Sequence, residues 1–214
     1  MIPASAPREP VDVPPFVVEF ARGRPVRAVW RNGLGGLTFQ VGVDGERQFV
    51  KWLPAGNDGG LTAEVVRLRW AARYTPVPRV LEEGADEGGW RPSAPGRPRA
   101  GSTRRTGPPG CRRSEPSRRR SPRSPTSCRS TGRWSCHGDA CAPNTLLGAD
   151  GRYSGHVDLG ALGTADRWAD LAVATWSTRW NYGPGWEEPL LAAYGIAPDR
   201  ERTAYYRLLW HLAD

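Results

Sequence analysis

The stretch "CHGDACAPNTLLGADGRYSGHVDLG", residues 136–160, contains His-Gly-Asp, an Asn five residues after the Asp, and a second Asp behind a short β-type run. Phosphoryl transfer needs a carboxylate that orients the attacking hydroxyl group, and hard oxygen ligands for the Mg²⁺ that neutralises the nucleotide phosphates. Asp139 and Asn144 would supply a base and an amide oxygen from one loop, and Asp158 would follow a strand. The spacing therefore indicates phosphoryl-transfer chemistry.

The motif "CHGDACAPNTLL" and the downstream "GHVDLGALGTADRWADLA" (155–172) together resemble the signature of the aminoglycoside phosphotransferases, most closely the 3′-phosphotransferases. The resemblance implies an α+β, protein-kinase-like bilobal fold with an antiparallel-sheet N-lobe and a mainly helical C-lobe. It also implies ATP and Mg²⁺ as cofactors and an aminoglycoside as the small-molecule substrate. One departure is Ala161, which stands where many members have Arg, and it leaves the details of sugar binding open.

The same resemblance assigns roles to individual residues of the C-terminal part. Asp139 would be the catalytic base, and Asn144 and Asp158 would bind Mg²⁺. His137 and Asp170 would support the catalytic loop.

The N-terminal half contains a second part of the expected site. Lys51 is the only lysine of the 214-residue chain and lies in a strand-like run. A kinase-like lobe uses such a lysine to hold the nucleotide phosphates, paired with a helical Glu. Glu64, in the following helical pattern, fits that partner.

A glycine-rich segment, "RNGLGGLTFQV" (31–41), precedes this lysine. Gly33, Gly35 and Gly36 would allow the backbone to approach the phosphates closely, although an ordinary hairpin turn has the same composition.

Hydrophobic patterning predicts the elements of the N-lobe, which we place at residues 16–90 after a flexible tail at 1–15. Four β-rich runs start at Phe16, Arg24, Leu37 and Arg47, with Asp44-Gly45 at a hairpin turn. A helix from Leu61 would bury Leu61, Val65, Leu68 and Ala72. Helical spacing also predicts two helices in the C-lobe (135–214), in "DRWADLAVATWSTRW" and "DRERTAYYRLLWHLAD".

Residues 91–134 differ from the rest of the chain. They comprise 13 Arg, 8 Pro, 8 Ser and one acidic residue, and they contain no Val, Ile, Leu, Met, Phe or Tyr. Such a segment cannot bury enough apolar surface to offset chain entropy, so we expect disorder. The net charge of +8 is local to it, because the remaining residues include 17 basic and 21 acidic side chains.

Two interpretations of this Arg-rich segment compete. An authentic Arg/Ser/Pro insert would bind nucleic acid in a salt-dependent manner. Alternatively, the segment is read out of frame: shifting residues 111–135 of a GC-rich gene by one nucleotide gives an amphipathic helix followed by a strand. We favour the second interpretation, so we expect no nucleic-acid partner and an impaired enzyme.

The acceptor and the cellular compartment follow less directly from these motifs. A kinase of choline, homoserine or a macrolide would share the catalytic loop, and an inactive remnant would bind nucleotide at best. The four Cys include no CxxC pair, the opening residues show no signal-peptide pattern, and no apolar run could span a membrane. These features predict a cytoplasmic protein with reduced thiols and no membrane partner.

Overall fold

The computed structural model describes residues 5–43, 45–54, 60–86, 89–95 and 132–212. The chain divides into two units, the first within 1–103 and 146–160 and the second within 104–145 and 161–214. The described elements, in chain order, are α1 Pro15–Ala21, β1 Val26–Arg31, β2 Leu37–Val41, β3 Gln48–Pro54, α2 Leu61–Ala71, β4 Glu82–Asp86, β5 Gly89–Pro95, β6 Trp134–Cys136, β7 Thr145–Leu147, β8 Tyr153–His156, β9 Gly163–Ala165, α3 Trp168–Tyr182, α4 Glu187–Tyr194 and α5 Arg200–Leu212.

An antiparallel five-stranded sheet forms the centre of the first unit, with strand order β1-β2-β3-β5-β4. β2 pairs with β3 from Leu37↔Trp52 to Val41↔Gln48, which confirms the predicted hairpin; Asp44, in its turn, lies outside the described residues. Because side chains alternate along a strand, Phe39 and its partner Val50 share one sheet face, and Lys51 lies on the other. The sheet thereby separates an apolar face from the face that carries the lysine.

The apolar face packs against α1, where the sequence predicts a strand. Phe16, Val17 and Ala21 are buried and Phe20 packs against the same cluster, whereas Val18 is 56% exposed. This spacing follows a helix and not a strand, in which 16, 18 and 20 would share a face. Pro15 in the first turn favours the helix further, because its fixed φ suits that position. The strand predicted at residue 16 is therefore wrong.

Residues 5–14 also contact the sheet instead of forming a loose tail. Ser5 and Arg31 exchange two backbone hydrogen bonds of 3.0 and 2.8 Å, and Val11 packs against the α1 cluster. The backbone pairing and the apolar contact order a segment whose Pro-rich composition suggested otherwise.

The predicted helix after β3 is present as α2, with its buried side shifted by one residue at the end. Leu61, Val65 and Leu68 are buried as expected, but the last buried position is Ala71, and Ala72 is exposed beyond the final turn. With 3.6 residues per turn, residues 71 and 72 both lie near the buried face of the helix. Ala71 is the last helical residue and is buried, whereas Ala72 lies just beyond the helix.

Two boundaries of the predicted domains differ from the structure. Residues 146–160 group with the N-terminal unit, and they do so through contacts such as the 3.0 Å bond from the His156 N–H to the Pro76 carbonyl. β5 continues to Pro95, into the predicted Arg-rich segment, because backbone pairing with β3 and β4 requires no aliphatic side chains. Residues 96–131, where we expect disorder, lie outside the described residues.

The second unit is mainly helical, as predicted. α3 and α5 cover the two segments that show helical spacing, and α4 is an additional helix. Trp168, Leu171 and Leu191 form a buried cluster, with Tyr206 of α5 packed against it. β6 pairs with β9, which positions the chain that enters the His-Gly-Asp loop. Within the described ranges, no helix combines the length and apolar composition that a membrane span requires.

Phe39 provides a test of the first unit's core. Phe39→Ala removes a fully buried ring next to Val50, so we expect the free energy of unfolding to fall by about 3–5 kcal/mol. Val43→Ala, at a position that is 63% exposed, is the matched control and should cost less than about 0.5 kcal/mol. Urea unfolding followed by tryptophan fluorescence measures both, and equal losses would contradict the assigned core.

Candidate active site

The first unit brings Lys51, Glu64 and Asp158 together. Lys51 Nζ donates to both carboxylate oxygens of Glu64, at 2.6 and 2.8 Å, and also to Asp158 Oδ1. β3 supplies the lysine and α2 the buried Glu64, whereas Asp158 comes from a segment more than 100 residues further along the chain. The predicted lysine–glutamate pair is thus present, with a second carboxylate beside it.

This environment fixes the charge of Lys51. Burial alone would lower its pKa, but the negative charges of Asp158 and Glu64 and their hydrogen bonds outweigh burial and raise the pKa above its ordinary value. Lys51 therefore remains a cation throughout the physiological pH range. A fixed ammonium group of this kind can bind phosphate oxygens.

Asp158 lies in a turn that begins just after β8. Its φ of +59° is uncommon for a residue other than glycine, although Asp tolerates it better than most residues. Leu159 beside it is buried, and Arg67 of α2 donates to the Gly160 carbonyl. α2 thus contacts both the lysine, through Glu64, and the Asp158 turn, through Arg67, a contact that the sequence analysis missed.

The glycine-rich segment forms the tight connection between β1 and β2. Gly35 has a φ of +84°, which favours glycine. A Cβ on Gly36 would lie 2.8 Å from Asn32 Nδ2 and 3.0 Å from the Trp52 carbonyl oxygen, so a side chain there would force these neighbours to shift. Gly33 follows Asn32 in the same turn. Asn32, which no sequence argument singled out, supplies the hydrogen bonds that close this turn.

The second unit brings the remaining predicted residues together on the loop after β6. Asn144 is buried, and its Nδ2 donates to the Asp139 backbone carbonyl and to Asp139 Oδ2, both at 3.0 Å. Among the described residues, Asp139 Oδ1 has no hydrogen-bond partner although it is buried. The loop therefore holds one carboxylate oxygen fixed and leaves the other as an acceptor for an incoming donor.

Asp170 and His137, the two residues expected to support this loop, both form hydrogen bonds to its backbone. Asp170 accepts the His137 N–H at 2.7 Å and the Gly138 N–H at 2.9 Å, one on each carboxylate oxygen. The buried His137 accepts the Asp139 N–H on Nδ1 at 3.3 Å. Consecutive N–H groups from residues 137 to 139 are thus all satisfied, which fixes the backbone on either side of Asp139.

Further contacts fix the same loop from α3 and β6. The Ala142 N–H donates to Ser177 Oγ of α3 at 2.9 Å, and Cys136 Sγ donates to the Asp166 carbonyl at 3.4 Å. Burial, with a smaller contribution from the Asp170 charge, raises the pKa of the Cys136 thiol to about 11. Cys136 is accordingly a protonated, buried residue of the loop's base and not a reactive thiol.

Ala161, the departure noted in the sequence, lies against the catalytic loop. A Cβ on Gly138, whose φ is +82°, would lie 2.7 Å from Ala161 Cβ. The Ala161 side chain therefore ends at the methyl group that lies next to Gly138.

Asp166 and Arg202 are structural residues that the sequence analysis missed. Asp166 is buried and accepts a hydrogen bond of 2.9 Å from the Trp168 N–H. It also forms an ion pair with Arg202, at an N–O distance of 3.1 Å. Their separation of 36 residues gives no local signal, since α3 and α5 meet only in the folded unit.

Sequence comparisons support the resemblance for the C-terminal part of the chain. Residues 129–206 match the model of the phosphotransferase enzyme family. An aminoglycoside 3′-phosphotransferase of Streptomyces fradiae is 42% identical over 81 residues, which are 35% of this chain and 30% of that protein. A streptomycin 3″-kinase of Streptomyces griseus is 43% identical over 77 residues, 33% of this chain and 28% of that protein. The chain thus spans less than a third of the length of these relatives in the matched stretches.

Solved structures establish the fold. An aminoglycoside-3′-phosphotransferase of type VIII aligns with a TM-score of 0.66 at 22% identity, covering 87% of this chain and 93% of that one. An aminoglycoside phosphotransferase from Streptomyces rimosus, in complex with ADP and streptomycin, aligns with a TM-score of 0.57 at 22% identity, covering 89% and 94%. The predicted α+β, kinase-like fold and the resemblance to aminoglycoside phosphotransferases are confirmed.

Lys51 provides a test of the charge cluster. Lys51→Met leaves Glu64 and Asp158 without their shared cation, so we expect a loss of about 2 kcal/mol in the free energy of unfolding. This is less than the roughly 3–5 kcal/mol of a fully buried pair, because the lysine side chain is 29% exposed. Adding Glu64→Gln should recover part of the loss by removing one charge.

The control is Arg152→Met, which removes a 3.8 Å ion pair with Asp150 whose arginine is 88% exposed. Chemical denaturation should show almost no change for it. A Lys51→Met loss no larger than that of Arg152→Met would contradict the assigned cluster.

Proposed function

We propose that this chain carries the machinery that transfers the γ-phosphate of ATP to a hydroxyl group of an aminoglycoside. The observation that carries the proposal is the Asp139 carboxylate, with Oδ2 held by Asn144 and with a buried Oδ1 that lacks a partner among the described residues. A carboxylate in this state can accept a hydrogen bond from a substrate hydroxyl group without losing an existing bond. The match of residues 129–206 to the phosphotransferase family supports the assignment.

The chemistry assigned to Asp139 is that of a general base. The acceptor hydroxyl donates to Oδ1, its oxygen forms a bond to the γ-phosphorus, and the bond between that phosphorus and the β,γ-bridging oxygen breaks. The hydroxyl proton passes to the Asp139 carboxylate, and ADP leaves with the electron pair of the broken bond. Asn144, by holding Oδ2, orients the carboxylate for this transfer.

Lys51 is assigned to the nucleotide phosphates. Its raised pKa keeps it cationic, and Glu64 holds the ammonium group through two hydrogen bonds. In this proposal phosphate oxygens replace Asp158 as the third partner of Nζ. The Streptomyces rimosus structure, a complex with ADP and streptomycin, supports a nucleotide as co-substrate and an aminoglycoside as acceptor.

Asn144 and Asp158 are the residues proposed to hold Mg²⁺, which would supply positive charge to the phosphate oxygens. Their chemistry fits: Asn144 uses Nδ2 toward Asp139, so its amide oxygen remains for a cation, and Asp158 offers a carboxylate. No group of three or more His, Cys, Asp or Glu in the described part of the chain could hold a metal ion. Mg²⁺ takes few protein ligands and binds substrate phosphates and water as well, so only these two residues are assigned to it.

A different small alcohol as acceptor is the second candidate. Ala161 beside Gly138 favours it, because a methyl group stands where many aminoglycoside phosphotransferases have an arginine. Assaying kanamycin, streptomycin, choline, homoserine and a macrolide in parallel decides between the two.

With ATP as donor, we expect the reaction to take place in the cytoplasm.

Asp139→Asn tests the proposed base. The amide cannot accept the hydroxyl proton, so we expect the rate of phosphoryl transfer to fall by about 10²–10⁴-fold. ADP binding should change less than about threefold, because the phosphates are assigned to Lys51 and Mg²⁺. Coupled ADP-release assays and calorimetry measure the two quantities. Asp150→Asn, an exposed acid near β8, is the control, and an unchanged rate for Asp139→Asn would reject the assignment.

The out-of-frame interpretation of the Arg-rich segment generates a further prediction. We expect this chain to phosphorylate kanamycin at least about a hundredfold more slowly than a variant whose residues 111–135 carry the alternative reading. The reason is positioning, since small misplacements of reacting groups cost about this much. Purifying the two proteins side by side and comparing kcat/KM measures it. Comparable rates would show that residues 111–135, as written, support catalysis.

A further inference from the structure

The turn between β1 and β2 is closed almost entirely by one side chain and its own backbone. Asn32 Oδ1 accepts the Leu34 N–H at 3.0 Å and the Gly36 N–H at 2.7 Å. The Asn32 carbonyl accepts the Gly35 N–H at 3.2 Å, and the Asn32 N–H donates to the Gly36 carbonyl at 2.9 Å. Four hydrogen bonds to a single residue therefore fix a loop that contains three glycines.

This loop lies at the same end of the sheet as the charge cluster. Thr38 is the register partner of Lys51, and Leu37, which follows Gly36 directly, is the partner of Trp52. A Cβ on Gly36 would lie 3.0 Å from the Trp52 carbonyl, so the loop packs on the strand residue next to the lysine. Both features belong to the first unit.

The bonding pattern decides which loop amides remain for a ligand. Loops that cradle phosphate do so with backbone N–H groups, which must point at the anion. Here the amides of Leu34, Gly35 and Gly36 all donate to Asn32. Within the described residues, the Gly33 N–H makes no hydrogen bond.

We propose that Asn32 is a positioning residue for the nucleotide: it holds the glycine-rich loop in its closed form and leaves the Gly33 amide for the phosphates bound by Lys51. A free loop with three glycines would lose conformational entropy when a ligand orders it. Asn32 imposes that order before the nucleotide binds, so binding retains more of its interaction energy. This inference rests on the proposed nucleotide-binding function.

The experiment compares Asn32→Ala, Asn32→Asp and the control Val43→Ala, which lies beyond the opposite end of β2 and is 63% exposed. Calorimetry with ADP and Mg²⁺ measures affinity, adenosine serves as a probe without phosphates, and hydrogen exchange reports on residues 32–37. Asn32→Ala should weaken ADP binding about tenfold, which corresponds to the loss of roughly two net hydrogen bonds. Adenosine affinity should change less, and Val43→Ala should match the unsubstituted protein.

Hydrogen exchange gives a second, ligand-free readout. Exchange over residues 32–37 should accelerate in Asn32→Ala and return to the original rate in Asn32→Asp, whose carboxylate keeps both acceptor bonds. Unchanged exchange in Asn32→Ala would overturn the inference.

The direction of the affinity change separates the remaining outcomes. Tighter ADP binding by Asn32→Ala would mean that Asn32 competes with phosphate for the loop amides, which overturns the positioning role. Unchanged ADP binding would overturn this inference alone. Failure of the unsubstituted protein to bind ADP at all would reject the proposed function and the inference with it.

Discussion

A carboxylate that is buried away from water needs hydrogen-bond donors or a cation beside it, and this constraint organises both units of the chain. In the first unit the buried Glu64 is met by Lys51, which joins α2 to β3. In the second unit Asp166 accepts hydrogen bonds from a backbone amide and from Arg202. Asp170 accepts hydrogen bonds from two amides of the His-Gly-Asp loop. In each case the acid joins its own segment to a group from another part of the same unit.

The consequence differs between the two units. Where the partner is an ammonium group, as at Lys51, the pairing creates a fixed positive charge that a phosphate can use. Where the partners are backbone amides, as at Asp170, the pairing fixes geometry without adding charge at the loop, so the Asp139 carboxylate is oriented but not neutralised. The same physical requirement therefore yields a fixed cation in one unit and an oriented carboxylate in the other.

Sequence patterns predicted the parts of this arrangement that depend on local spacing. The pairing of β2 with β3, the helices α3 and α5, and the contact of Lys51 with Glu64 follow from alternation, helical period and a single lysine in a strand. The sequence pattern did not predict helix α1, because "FVVEF" is rich in β-branched and aromatic residues. Burial of its Phe16 and Val17 side in the folded unit outweighs that propensity. Propensity is a weak guide where tertiary packing decides.

The role of Asn32 could not be predicted from the sequence pattern for a related reason. The glycines at 33, 35 and 36 suggested a flexible backbone open to phosphate, and their composition says nothing about where the amides point. In the structure the amides of Gly35 and Gly36, and that of Leu34 between the glycines, donate to Asn32, two of them through Asx-type bonds that an Asn-Gly pair allows but does not require. Distant pairs such as Asp166–Arg202 are likewise invisible to local patterns, because only the packing of α3 with α5 brings them together.

The catalytic loop depends on a short part of the chain. The partners that fix Asp139 and its neighbours are Asn144, His137, Asp170 and Ser177, and all of them lie between residues 137 and 177. This span falls inside the family match, which begins at residue 129, whereas the Arg-rich composition ends at residue 134. The hydrogen bonds that orient Asp139 therefore do not involve the Arg-rich segment. These hydrogen bonds are thus formed within the described residues from 137 to 177, whatever the sequence of the Arg-rich segment before them.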